Sequence, residues 1–215
     1  MKKNKQYRLY STIAFFLLFI FWTVALCLID RQAIGPMESV VGLANLNAAA
    51  HTKIGVHMFL YELTDHLSVI PIAIMLAQAI IGAVQLIKYR SIRKVNREII
   101  CIGIVYAILF AVFIFFEILP VNYRPILIEG NLEASYPSST TLLLMTVMGC
   151  CSVALRSKSS KFDIRSLLST VSFIFAVFMV VSRIISGVHW ITDILGGLFF
   201  SIGLISLYAY LIQKD

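Results

Sequence analysis

Long apolar runs separated by short polar segments set the pattern of this chain. A helix needs about 20 apolar residues to cross the roughly 30 Å hydrocarbon core of a bilayer. Six runs meet that requirement, at residues 11–28, 67–87, 99–116, 138–155, 166–183 and 191–211. The pattern predicts an all-α integral membrane protein with six transmembrane helices, forming one domain over residues 1–215. The first run is too long for a signal-peptide core, and no small-x-small cleavage site follows it closely. It therefore reads as a retained anchor. In the long polar interruption at 29–66, Pro36 is followed by Met37, Val40, Val41 and Ala44. Their i, i+3, i+4, i+7 spacing predicts a short amphipathic helix on the membrane surface. Such a helix would serve as a structural cap or as a lipid gate.

Composition agrees with this reading. Of the residues, 60% are hydrophobic and 13% charged, whereas soluble domains are about half apolar and a quarter charged. A water-soluble globule, a disordered chain and a collagen-like chain are excluded. The four cysteines, Cys27, Cys101, Cys150 and Cys151, lie in apolar runs without metal-type spacing and read as small buried residues.

The net charge of +7 needs no nucleic acid. Fourteen of the 18 Lys and Arg residues fall in segments that lie on one side of a six-helix topology. These are Lys2, Lys3, Lys5 and Arg8, then Lys88 to Arg97, then Arg156, Lys158, Lys161 and Arg165, and finally Lys214. The positive-inside rule makes that side, with both termini, cytoplasmic. All four histidines and eight of the 11 acids lie toward the other side, so the groups able to do chemistry face outward.

Three outward pieces form a constellation. Glu117 begins a segment that ends in Arg124-Pro125. Tyr136-Pro137-Ser138-Ser139-Thr140 opens the fourth helix. Ser182-Arg183, five residues, His189, three residues and Asp193 join the fifth and sixth. With His189 on the first turn of the sixth helix, Asp193 at i+4 shares its face and can accept a hydrogen bond from one ring nitrogen. The other nitrogen is then a base or nucleophile. Arg183 can return to the same spot and grip a phosphate through its planar fork. Ser138 at a helix start, with Ser139 and Thr140 after it, reads as an ordinary N-cap or, beside Arg124 and Arg183, as a phosphate cradle whose backbone N–H groups meet an anion. Glu117 is best read as a salt-bridge partner that positions Arg124; a place outside the site and a metal or catalytic role are the alternatives. Glu62, Asp65 and His66 read as an interfacial helix start with Asp65 near the N-cap, or else as polar groups of the cavity. No metal site or cofactor is expected.

These residues resemble the type-2 phosphatidate phosphatase superfamily of membrane lipid phosphatases. Its signatures are Lys-x6-Arg-Pro, Pro-Ser-Gly-His and Ser-Arg-x5-His-x3-Asp. The third is complete here in Ser182, Arg183, His189 and Asp193. The first keeps Arg124-Pro125 but has Glu117 for Lys, and the second has Ser139 for Gly and Thr140 for His. The resemblance implies that His189 attacks phosphorus to form a phosphohistidine while Asp193 orients it. Arg124, Arg183, Ser138 and Ser139 would bind the phosphoryl oxygens, and Glu117 and Thr140 would be possible site residues. A lipid diphosphate expels a weaker base than a phosphomonoester does, so loss of the family's acid biases the substrate toward a diphosphate. The expected activity is removal of phosphate from an isoprenoid lipid diphosphate, undecaprenyl diphosphate, at the outer face of a plasma membrane. The alternatives are phosphatidate or phosphatidylglycerophosphate hydrolysis, or lipid-phosphate binding or transport without catalysis.

Overall fold

The computed structural model describes residues 2–158 and 163–213. Lys161 and Lys214 of the basic segments lie outside the described residues. The described chain forms α1 (Lys2–Leu28), a two-stranded hairpin β1 (Gln32–Ala33) and β2 (Val40–Val41), α2 (Ala44–Ile54), α3 (Met58–Leu67), α4 (Val69–Tyr89), α5 (Arg97–Ile118), α6 (Ser139–Ser157), α7 (Ile164–Ser186) and α8 (Ile191–Ile212). Six spans are long and apolar enough to cross a bilayer, and α3 and α4 together make one of them, Met58–Tyr89. Six transmembrane helices are thus present as the hydropathy pattern predicts.

The second span starts earlier than expected. Ser68 keeps helical dihedrals between α3 and α4, so the helix runs on toward the outer segment. Asp65 is therefore not at an N-cap. It lies in the last turn of α3, one residue beyond Thr64, which is fully buried.

The surface helix predicted over Met37–Ala44 is also displaced. Met37 and Glu38 take positive φ, which ends any helix begun at Pro36, and Val40 and Val41 pair antiparallel with Ala33 and Gln32. Helix starts only at Ala44. There Asn47, wholly buried, donates through Nδ2 to Gly42 O and to Thr192 Oγ1, both at 2.9 Å. The outer segment is thereby tied to the start of α8.

Helix α8 is central: α1, α5 and α6 pack on it, α7 packs on α6, and α3 packs on α7. Phe19, Phe116, Tyr136 and Phe200 form an aromatic cluster in the main core. Helix α7 shows how sequence sets the packing. Ser169, Ser172, Ala176, Met179, Val180 and Arg183 face inward, while Phe173, Ile174, Val177, Phe178 and Val181 are exposed. Small and polar residues let membrane helices approach one another, and large apolar ones suit the lipid side. Ser152 and Ser169 exchange hydroxyl-to-carbonyl bonds of 3.1 and 3.0 Å between α6 and α7. At the basic end, Arg8 donates to Ala209 O at 2.6 Å and Lys158 pairs with Glu98 at 2.5 Å. The four cysteines are free; Cys101 and Cys150 are buried, Cys27 and Cys151 half-buried.

Candidate active site

The helix ends opposite the basic segments converge on one buried polar centre. Between α5 and α6 the chain folds back through antiparallel bridges at Tyr123–Ala134 and Ile128–Asn131. This places Arg124 opposite Glu133: the Arg124 N–H donates to Glu133 O at 3.1 Å, and Nε lies 2.9 Å from Glu133 Oε2. Glu133, not Glu117, is thus the carboxylate that holds Arg124. Glu117 is exposed on the last turn of α5, beside a small crevice that Ser135, Tyr136, Pro137 and Ser139 also line. The hairpin register decides this, because residues nine apart face each other across the turn, whereas Glu117 stays on the preceding helix.

Helix α7 ends at Gly187, whose φ of +65° suits glycine. Its missing Cβ would lie 1.9 Å from Gly55 O, so the corner closes tightly over the outer segment. Arg183, 2% exposed, remains on the last turn of α7. Its Nη1 donates to Thr64 Oγ1 at 3.0 Å and to Tyr61 O at 3.4 Å. The guanidinium carbons of Arg183 and Arg124 lie 4.6 and 5.9 Å from the centre of the Tyr61 ring. Cation–π attraction gives the ring a favourable interaction with both cations, which otherwise repel each other.

His189 precedes α8 rather than sitting on its first turn. The helix begins at Ile191, and Asp193 accepts from the Trp190 N–H at 3.3 Å. The expected direct His189–Asp193 bond is replaced by a relay. Ser135 Oγ lies 2.9 Å from His189 Nδ1 and donates to Asp193 Oδ2 at 2.6 Å. A hydroxyl carries one proton. Because Ser135 gives it to the carboxylate, it can only accept from His189, which places the ring proton on Nδ1. Asn122 donates to the other Asp193 oxygen at 2.9 Å and accepts from the Gly42 N–H at 3.0 Å.

His189 Nε2 is left with its lone pair and, among the described residues, no hydrogen-bond partner; Arg124 Nη1 and Arg183 Nε are likewise buried and unpartnered. Burial, reinforced by the nearby Arg124 and Arg183 charges, holds the imidazole well below the usual histidine range. A neutral ring near two guanidinium groups, each with a buried N–H left unpartnered, suits a nucleophile that meets an anion. The other histidines stand apart. His51 Nε2 is 3.1 Å from Gly187 O, His57 Nε2 3.0 Å from Ile54 O, and His66 Nδ1 2.7 Å from Glu62 O.

Ser138 occupies the N-cap of α6 but does not cap through its side chain. Its buried Oγ accepts from Thr141 Oγ1 at 3.1 Å, and its N–H donates to Asp193 O at 3.1 Å. The first-turn N–H groups of α6 have no intrahelical acceptors. Ser139 and Thr140 are half-buried and line a cavity of about 250 Å³ with Asp65, Ser68 and apolar residues of α4 to α6. Thr140 also lies in a cleft with Arg183.

Arg124, the start of α6 at Ser138, and Arg183, His189 and Asp193 therefore meet at one place, and a family model matches residues 74–215, which include them. The chain belongs to the PAP2 superfamily. It is a phosphoric-ester hydrolase, a multi-pass membrane lipid phosphatase. A search of curated proteins finds no match. The fold is similar to the crystal structure of a transmembrane PAP2-type phosphatidylglycerolphosphate phosphatase from Bacillus subtilis, with TM-score 0.61 and 19% identity over 94% of each chain. Within this PAP2 chain, sequence reasoning missed Ser135, Asn122, Tyr61, Thr64 and Glu133. Only Ser135, close before Pro137, had a neighbouring signal.

Proposed function

We propose that this PAP2 phosphatase removes the terminal phosphate of an isoprenoid lipid diphosphate, with undecaprenyl diphosphate as the best-matched substrate, at the outer face of a plasma membrane. The observation that carries the reading is the bare, buried Nε2 of His189 beside the unpartnered groups of Arg124 and Arg183, combined with a threonine at position 140 instead of an acid.

In this reading the Nε2 lone pair attacks the terminal phosphorus. The bond from phosphorus to the bridging oxygen breaks, and the lipid monophosphate leaves with that electron pair. Arg124, Arg183, the Ser138 hydroxyl and the first-turn N–H groups of α6 from Ser139 onward hold the phosphoryl oxygens as charge develops. As His189 gains positive character, its Nδ1 proton is stabilised through Ser135 by Asp193. Water then returns phosphohistidine to histidine. Thr140 can donate a hydrogen bond but is no acid near neutral pH, which favours a leaving group that needs no proton.

The experiment is phosphate release by protein purified in detergent, comparing a prenyl diphosphate with a diacylglycerol phosphate. The prenyl diphosphate is expected to have the higher kcat/KM, and His189→Ala is expected to abolish release from both. Preference for the diacylglycerol phosphate would overturn the substrate assignment but leave the nucleophile in place.

A further inference from the structure

Three residues of α3 form a strip at helical spacing beside the phosphate cradle. Tyr61 lies under both guanidinium groups, Thr64 accepts from Arg183, and Asp65 follows at i+4 from Tyr61. Asp65 is exposed, and its carboxylate is near enough to Arg183 to act on its charge. It lines the 250 Å³ cavity together with the polar Ser139 and Thr140 and the apolar Ile72, Leu109, Phe110 and Phe113. Thr140 also lines the cleft that Arg183 borders, so a lipid whose terminal phosphate rests between Arg124 and Arg183 can lay its apolar part in this cavity, and its monophosphate would depart on this side.

Phosphohistidine hydrolysis sets a demand that the first step does not. Departure of a lipid monophosphate needs no proton donor. Attack by water does need a proton acceptor, on the side the leaving group has vacated, in line with the phosphorus–nitrogen bond. Thr140 cannot supply one, since a hydroxyl is a poor base. Nε2 is bonded to phosphorus, and the Asp193 carboxylate is enclosed by Ser135, Asn122 and the Trp190 N–H. Glu133 is engaged with Arg124.

We propose that Asp65 is the general base for hydrolysis of the phosphohistidine at His189. A water in the vacated cavity gives one proton to the Asp65 carboxylate as its oxygen bonds to phosphorus. The phosphorus–nitrogen bond breaks, its electron pair returns to Nε2, and inorganic phosphate leaves. Asp65 then passes the proton to solvent. This assignment rests on the phosphohistidine mechanism proposed above.

The test is rapid-quench kinetics of the full chain in detergent with farnesyl diphosphate labelled in its terminal phosphate. Asp65→Asn is expected to keep a fast burst of farnesyl phosphate, about one per protein. Its steady-state rate then falls by about 10²–10⁴-fold, the usual worth of general base catalysis. Labelled protein should accumulate, stable to base and labile to acid as a phosphoramidate is, and Asp65→Glu should recover part of the turnover. A burst that slows in parallel with the steady state would overturn the proposal and make Asp65 a positioning residue for Arg183. Turnover of Asp65→Asn close to wild type would also overturn it. If the wild type hydrolyses only diacylglycerol phosphate, the substrate reading fails instead, and terminally labelled diacylglycerol phosphate puts Asp65 to the same burst test.

Discussion

Ser135 is the residue through which histidine and aspartate act on each other. Without its hydroxyl, His189 Nδ1 and Asp193 Oδ2 each lose a short bond in a buried site, and an unsatisfied buried polar group costs about 1–3 kcal/mol. Ser135→Ala is therefore expected to lower kcat/KM by roughly 10-fold to 10²-fold, since about 1.4 kcal/mol corresponds to tenfold. The protein should still reach the membrane, which quantitative blotting of the membrane fraction checks. The ring's protonation gives a second expectation. Burial and the two arginine charges keep His189 neutral below the usual histidine range, so wild-type kcat/KM should not fall as pH drops through about 6.5. In Arg124→Gln one of those charges is gone and the imidazole binds a proton more readily. The residual kcat/KM should then fall at a higher pH than in the wild type. A pH profile of both proteins checks the sign, and coincident acid limbs would remove Arg124 from the electrostatics of the ring. At this scale the sequence was legible only where spacing encodes geometry. Arg183, His189 and Asp193 lie close along one corner, and Arg124 is marked by the following proline. Ser135, Asn122 and Glu133 reach the site through the fold of the 119–138 loop. No periodicity of a lone serine or asparagine encodes that fold.

Elements hold those residues in place by close approach. Helix α8 meets the 119–138 loop where Gly196 faces Tyr136, and a Cβ on Gly196 would lie 2.3 Å from the Tyr136 ring. That ring has little room to move. It stacks on Phe19, and its hydroxyl is 2.7 Å from Thr23 Oγ1. Gly196→Ala is thus expected to destabilise the protein by about 1–3 kcal/mol, the usual cost of overpacking. Because Tyr136 lies next to Ser135, kcat should fall as well. Thermal unfolding in detergent and phosphate release on the same preparation measure both effects, and Gly103→Ala, with open space around its Cβ, is the control. The spans themselves were legible, since each apolar run returns within a helix, although the first two helices begin about nine residues earlier than the runs they contain. The first outer segment was not. The spacing of Met37, Val40, Val41 and Ala44 fits a helix face, yet Gly35-Pro36 and two residues of positive φ turn it into a hairpin. Periodicity over eight residues is too short to outweigh turn chemistry.

The whole molecule is polarised from one set of helix ends to the other. One end carries the basic links, with Arg8 on Ala209 and Lys158 on Glu98; the other carries His189, Asp193 and both buried arginines. The positive-inside rule assigns the basic end to the cytoplasm, so the site should open outward, and one pair of cysteine positions tests this. Asn131, exposed at the tip of the 119–138 hairpin, makes, among the described residues, a single 3.4 Å side-chain bond, to Glu129 O. It suits cysteine better than Gly130, whose φ of +79° disfavours a side chain. Ser157, exposed at the end of α6, donates to Ala154 O at 2.8 Å and marks the basic end without removing a charge. With the four native cysteines replaced by alanine and phosphate release retained, a membrane-impermeant maleimide should label Asn131→Cys on intact cells. Ser157→Cys should react only after permeabilisation. The reverse pattern would put His189 on the cytoplasmic side. A lipid diphosphate presented at the outer leaflet would then be out of reach, while the chemistry of His189, Ser135 and Asp193 would stand unchanged.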